Sequence, residues 1–258
     1  MMISSEEYIK ALNLYILDKD EYIVREEFEN HPEIEALIGF CRGDHGRKPV
    51  GIPSVKELQN YSLPKNAEYW PAVWELHRSK KKWNDDSLGE LDKSTSRIMS
   101  HLISPPFRES FGHYGLVVGY VQSGKTSNYT ALCAKAADHG YNLIIILSGL
   151  YNDLRSQTQS RLLKELAGTE RDQRDGVHVL GEMYNVPWKI ITTQTKDFHD
   201  LKYLKPFAEP NRPHLIVTKK NVTPLDKLTQ WIEKTPAELR SKIKALIIDD
   251  EADHGSID

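Results

Sequence analysis

The stretch Gly119-Tyr120-Val121-Gln122-Ser123-Gly124-Lys125-Thr126 constrains this chain more than any other feature, because it stands between an apolar run, Gly115 to Val118, and a helical stretch. Glycines at both ends let backbone N–H groups turn inward around an anion. The lysine adds a reaching cation and the threonine a hydroxyl. A strand that turns through such a loop into a helix also presents the positive end of the helix dipole to whatever the loop holds. The pattern Gly-x4-Gly-Lys-Thr in this setting reads as a phosphate-binding P-loop. Its candidate nucleotide contacts are Gly119, Gln122, Ser123, Gly124, Lys125, Thr126 and Ser127. Lys125 is expected to reach the β- and γ-phosphates of ATP, and the Thr126 hydroxyl to ligate magnesium.

The rest of the chain beyond residue 112 fits a P-loop domain. Short apolar runs at Gly115 to Val118, Leu143 to Leu147, Lys189 to Thr193, His214 to Thr218 and Ala245 to Asp249 alternate with helical segments. Buried strands alternating with helices predict a mainly parallel sheet covered on both faces. The expected fold is therefore α/β, a three-layer α/β/α P-loop NTPase domain over residues 90–258, preceded by a helical region over residues 1–89. In that region Tyr8, Leu12, Tyr15 and Ile16, then Phe28, Ile34, Leu37 and Ile38, recur at helical spacing. Trp70, Trp74 and Leu76 read as core anchors in preference to a stacking surface, and a helix is expected from Leu91 to Leu102, before Pro105-Pro106. Gly168 to Gly176 reads as an exposed loop.

The last apolar run, Leu246-Ile247-Ile248, ends in Asp249-Asp250-Glu251, as a Walker B element does. One carboxylate should serve magnesium and the next should orient or deprotonate the attacking water. Asp250 is assigned to the metal and Glu251 to the water, with Lys125 completing the catalytic set; the register leaves Asp249 as the alternative partner for magnesium. Two further groups offer donors suited to phosphate oxygens of a nucleic acid: Arg155 and Gln157 after the second run, and Lys219-Lys220-Asn221 after the fourth. A solvated helix start and a solvated loop are the plain alternatives. The formal charge of -3 places no overall basic field on the chain, so any such surface is local. Cys41 and Cys133 lie far apart without partners at metal spacing, and no leader pattern or apolar run of membrane length occurs. A cytoplasmic protein without a membrane partner is expected.

The tetrad Asp250-Glu251-Ala252-Asp253 resembles motif II of the superfamily-two helicases and translocases, and Leu147-Ser148-Gly149 with Leu154-Arg155-Ser156-Gln157-Thr158 resembles their motif Ia. Over about residues 90–258 the blocks resemble the putative endonuclease "Z-one" domain family. They include Gly115-Leu116-Val117-Val118-Gly119, Val121-Gln122-Ser123-Gly124-Lys125-Thr126-Ser127-Asn128-Tyr129-Thr130, Lys135-Ala136-Ala137-Asp138, Lys219-Lys220-Asn221 and Ile247-Ile248-Asp249-Asp250-Glu251-Ala252-Asp253. That resemblance implies a RecA-like ATPase core from prokaryotic restriction or anti-phage defence, acting on DNA alongside other defence proteins. It also implies that a second RecA-like domain with an arginine finger lies outside this chain. An arginine finger is worth about 10³ to 10⁵ in rate, so hydrolysis by this chain alone is expected to be slow. No run carries the Asp and Glu-x-Lys pair of a restriction-type nuclease; Tyr184 stands two residues beyond Glu182. Nuclease activity and a nucleotide-switched regulator that does not translocate are the rival classes.

Overall fold

The computed structural model describes Ala11, residues 21–29, Ile34, Ile38, and residues 50–51, 61–102, 115–118, 125–168, 186–202 and 204–250, with Ala252. Two compact units divide the chain. One comprises Met1–Tyr61, Ser100–Ile103 and Phe111–Lys125; the other comprises Ser62–Met99, Ser104–Ser110 and Thr126–Asp258. In the first unit α1 (Glu21–Glu27) buries Val24, and β1 (Val50–Gly51) pairs antiparallel with β2 (Val117–Val118). The run Gly115 to Val118 was expected in the parallel sheet, and this pairing is a correction. Leu116 and Val117 stay exposed, as a two-stranded antiparallel ribbon allows and a covered parallel strand does not.

In the second unit the four strands β3 (Leu143–Leu147), β4 (Lys189–Ile190), β5 (His214–Thr218) and β6 (Ala245–Asp249) form an all-parallel sheet in the order β4-β5-β3-β6. The chain is thus α/β, as its apolar runs predict. Strands β3 and β5 are central, and every residue of β5 is buried; β3 is an unbroken run of Leu and Ile, and β5 has Leu215-Ile216-Val217 between His214 and Thr218. On one face Leu143, Ile145 and Ile216 pack with Phe198, Phe207, Leu228 and Trp231; Leu228 and Trp231 come from α6 (Val222–Glu233). Ile144, Ile146, Leu215 and Val217 point to the opposite face and are equally buried. Strand β6 is half-open, with Leu246 buried and Ile247 60% exposed. Strand β4 is shorter than the run Lys189 to Thr193. Its ladder stops because the Thr192 hydroxyl, and not a backbone carbonyl, takes the Val217 N–H, at 2.8 Å.

Helices α2 (Tyr69–Ser79) and α3 (Asp85–Met99) belong with the sheet unit, so the boundary expected at residue 90 falls inside α3. The reason lies in two polar side chains of α4 (Lys125–Asp138), which is buried on all sides from Asn128 to Ala137. Asp138 accepts the N–H groups of Glu68, Tyr69 and Trp70 at 2.7, 2.9 and 2.8 Å. Pro71 has no N–H to offer, so one carboxylate from another helix satisfies the first-turn donors of α2. Lys135, whose side chain is wholly buried, donates to the Asp92 carbonyl and to Ser96 Oγ, pairs with the Asp92 carboxylate, each at 2.8 Å, and lies over the Trp70 ring. Its charge is compensated on each side, as a buried ammonium requires. Trp70 itself is a core residue and packs edge-on against Trp74. Helix α3 begins earlier than Leu91, because Asn84 accepts the Ser87 N–H and caps it.

Candidate functional site

Parallel strands place all their carboxyl ends on one edge of a sheet, where loops carry the side chains that strands and helices hold in place. Here that edge collects Ser148-Gly149 after β3, Thr192-Thr193 after β4, Lys219-Lys220 after β5 and Asp249-Asp250 at the end of β6. Gly149 has φ 80°, a left-handed turn that takes the chain off β3 towards α5 (Asn152–Leu162). Its carbonyl accepts the Lys220 N–H at 2.8 Å, and the Leu147 carbonyl accepts the Asp250 N–H at 2.9 Å. The backbone therefore fixes both basic and acidic loops against the central strand.

Of the acids, Asp249 is already engaged: its Oδ2 lies 2.6 Å from the Lys220 ammonium. Tyr129, buried one turn beyond Thr126, has its phenol pKa pushed up first by burial and then by the Asp250 carboxylate, whereas the Thr126 hydroxyl and the Arg161 guanidinium act in the opposite sense. The Thr126 hydroxyl and the Arg161 and Asp250 charges thus all act on one phenol. Arg161 Nη1 donates to Thr126 Oγ1 at 3.2 Å. A hydroxyl and a carboxylate are hard oxygen donors of the kind magnesium selects, so the chemistry of Thr126 and Asp250 fits that ion. No group of three or more His, Cys, Asp or Glu able to hold a metal occurs among the described residues.

The nucleic-acid candidates do not form one surface. Arg155 is 2% exposed, and its guanidinium donates to the carbonyls of Thr193 and Gln194 at 2.8 and 2.5 Å. This corrects its expected role: the donors proposed for phosphate oxygens are spent holding the loop after β4. Gln157 is exposed on the same helix. Lys220 is paired with Asp249, and Lys219 lies 4.0 Å from Asp197. Neither lysine is the solvated cation that the sequence alone allows. Gly119, Gln122, Ser123, Gly124 and Glu251 lie outside the described residues, as does the side chain of Lys125; Ser127, in the first turn of α4, is half-buried.

Beneath this edge runs a buried polar network that the sequence reading missed. Thr192 Oγ1 donates to Gln159 Oε1 at 2.8 Å while accepting from Val217. Asp197, 1% exposed, accepts the Thr218 hydroxyl at 2.6 Å and the Phe198 N–H at 2.6 Å, tying the loop after β4 to the end of β5. A signal for the second feature was available: Asp197 and Asp200 close a reciprocal capping box at the short turn Phe198–Asp200. Arg161 carries no such signal, since only the fold brings α5 to the start of α4.

Comparison with protein-family models, curated proteins and solved structures finds no match for this chain. Among the described residues no helix is long and apolar enough to cross a membrane.

Proposed function

We propose that this chain is the ATP- and magnesium-binding core of a RecA-like, helicase- or translocase-like ATPase acting on DNA, of the "Z-one" kind, cytoplasmic and tied to prokaryotic defence. The observation that carries the reading is the all-parallel sheet whose carboxyl edge holds Asp249-Asp250 at the end of β6, in a chain whose Gly-x4-Gly-Lys-Thr pattern ends in the first turn of α4, at Thr126.

Within this reading Lys125 binds the terminal phosphates, Thr126 and Asp250 hold the metal, and Glu251 orients the attacking water. Magnesium, when bound, neutralises the charge that develops on the phosphates. Asp250 is the acid assigned to the metal, and Asp249 is paired with the Lys220 ammonium at 2.6 Å. Asp249 then acts as a positioning group that anchors the start of the acidic loop.

The test is thermal unfolding of the chain with and without magnesium and a nonhydrolysable ATP analogue, repeated for Lys125→Ala. Ligand at about 100 times its Kd adds roughly 2.7 kcal/mol, or about 5–10 °C for a domain of this size. A magnesium-dependent rise that the variant lacks is the expected result. An equal rise in both proteins, or none at millimolar nucleotide, sinks the proposal. DNA-stimulated, salt-sensitive ATP hydrolysis separates a motor from a nucleotide switch indifferent to DNA.

A further inference from the structure

Arg161 stands in the last turn of α5, exposed, with its guanidinium turned to the first turn of α4. Among the described residues its one hydrogen bond goes to a neutral acceptor, Thr126 Oγ1, and no carboxylate is paired with it. A guanidinium carries five N–H donors in a planar fork that matches phosphate oxygens two at a time. A single bond to a hydroxyl leaves most of those donors without an acceptor among the described residues. Charge-assisted bonds to an anion are about twice as strong as such a neutral one, so an anion within reach displaces the hydroxyl as its partner.

Thr126 supplies the hydroxyl that the nucleotide reading assigns to magnesium, beside the terminal phosphates. A cation touching that hydroxyl is therefore a neighbour of the γ-phosphate. Resting on that reading, we infer that Arg161 is a further nucleotide-site residue, a guanidinium supplied by the chain itself that binds the γ-phosphate and distinguishes ATP from ADP. Because the nucleotide reading gives the Thr126 hydroxyl to magnesium, metal binding there frees the guanidinium from it. The guanidinium then turns by the length of its own flexible stem to the phosphate oxygens. Arg155, buried two turns earlier on the same helix, has no such freedom.

Binding of magnesium AMP-PNP and of magnesium ADP to the full chain, measured by titration calorimetry for wild type, Arg161→Ala, Arg161→Lys and Lys125→Ala, tests this. Arg161→Ala is expected to weaken AMP-PNP roughly tenfold or more while leaving ADP within about twofold. Arg161→Lys should recover only part of the loss, because an ammonium cannot bind two oxygens in the plane of a fork. Lys125→Ala should weaken both nucleotides. If Arg161→Ala weakens both nucleotides equally, or neither, while Lys125→Ala loses binding, the inference about Arg161 is overturned and the nucleotide site stands. If wild type binds neither nucleotide, or Lys125→Ala binds as wild type does, the nucleotide reading falls and takes the inference with it. An unliganded thermal midpoint that Arg161→Ala leaves unchanged confirms that the fold is intact.

Discussion

The two ends of α5 carry two arginines in opposite situations. Arg155, in the first turns, is buried and bonded to two backbone carbonyls; Arg161, in the last turn, is exposed and bonded to one hydroxyl. Six residues advance a helix by about 240°, so the two side chains leave it on different sides. The same residue type becomes part of the scaffold where both terminal nitrogens have fixed backbone acceptors, and part of a site where its donors remain to be claimed. A second contrast runs along the buried side of α5, where Arg155, Thr158, Gln159 and Leu162 recur at helical spacing. Three of those four are polar, and Arg155 and Gln159 are hydrogen-bonded to the chain after β4. The packing of this helix is polar packing.

The contrast between the two arginines is tested most severely at Arg155. Arg155→Met keeps the stem but strands the Thr193 and Gln194 carbonyls, and is expected to cost about 2–3 kcal/mol in urea unfolding. A cost near that of an ordinary surface change would mean that this guanidinium is no more structural than Arg161. Next comes Thr192→Val, which removes the acceptor of the buried Val217 N–H and the partner of Gln159. A loss of about 1–3 kcal/mol is expected, and Thr192→Ser should restore most of it.

A smaller effect is expected from His77, a buried nitrogen base of α2. Its Nδ1 is bonded to the Val73 carbonyl at 2.8 Å, its Nε2 has no hydrogen-bond partner, and its pKa is lowered, chiefly by burial, from 6.5. Linkage sets the sign. Above pH 6.5 the ring is neutral in both states and its stability contribution is complete; below it the unfolded ring takes a proton that the folded ring resists. The thermal midpoint should therefore fall as pH drops from about 7 towards 5, and less steeply in His77→Gln. His139 and His214 are lowered in the same direction, again first by burial, and add to the slope. A pH-independent midpoint across that window would remove the argument. Smallest of all, Arg161→Ala should change unliganded stability by no more than about 0.5 kcal/mol; a larger loss would make its bond to Thr126 a tie between helices.

Much of the sheet was legible because buried parallel strands must be apolar throughout. The runs Leu143 to Leu147, His214 to Thr218 and Ala245 to Asp249 coincide with β3, β5 and β6. The start of α4 at Lys125 was legible too, since a Gly-Lys-Thr after an apolar run marks a loop entering a helix. The polar side of α5 was not. Periodicity detects burial only through apolar residues, and here hydrogen bonds satisfy the buried groups. The helix therefore resembled one facing solvent, and Arg155 resembled a free donor.

What the sequence determined by itself is chemistry and local form: a glycine-framed loop with its lysine and threonine, acids at a strand end, and the apolar runs that become strands. These depend on residue type and short spacing, which the chain carries in order. Only the tertiary structure decided pairing: Lys220 with Asp249, Arg155 with the loop after β4, Asp138 with the head of α2, Arg161 with Thr126. Each joins residues that are distant along the chain, and whether a charged group is a strut or a ligand depends on whether the fold has already brought it a partner.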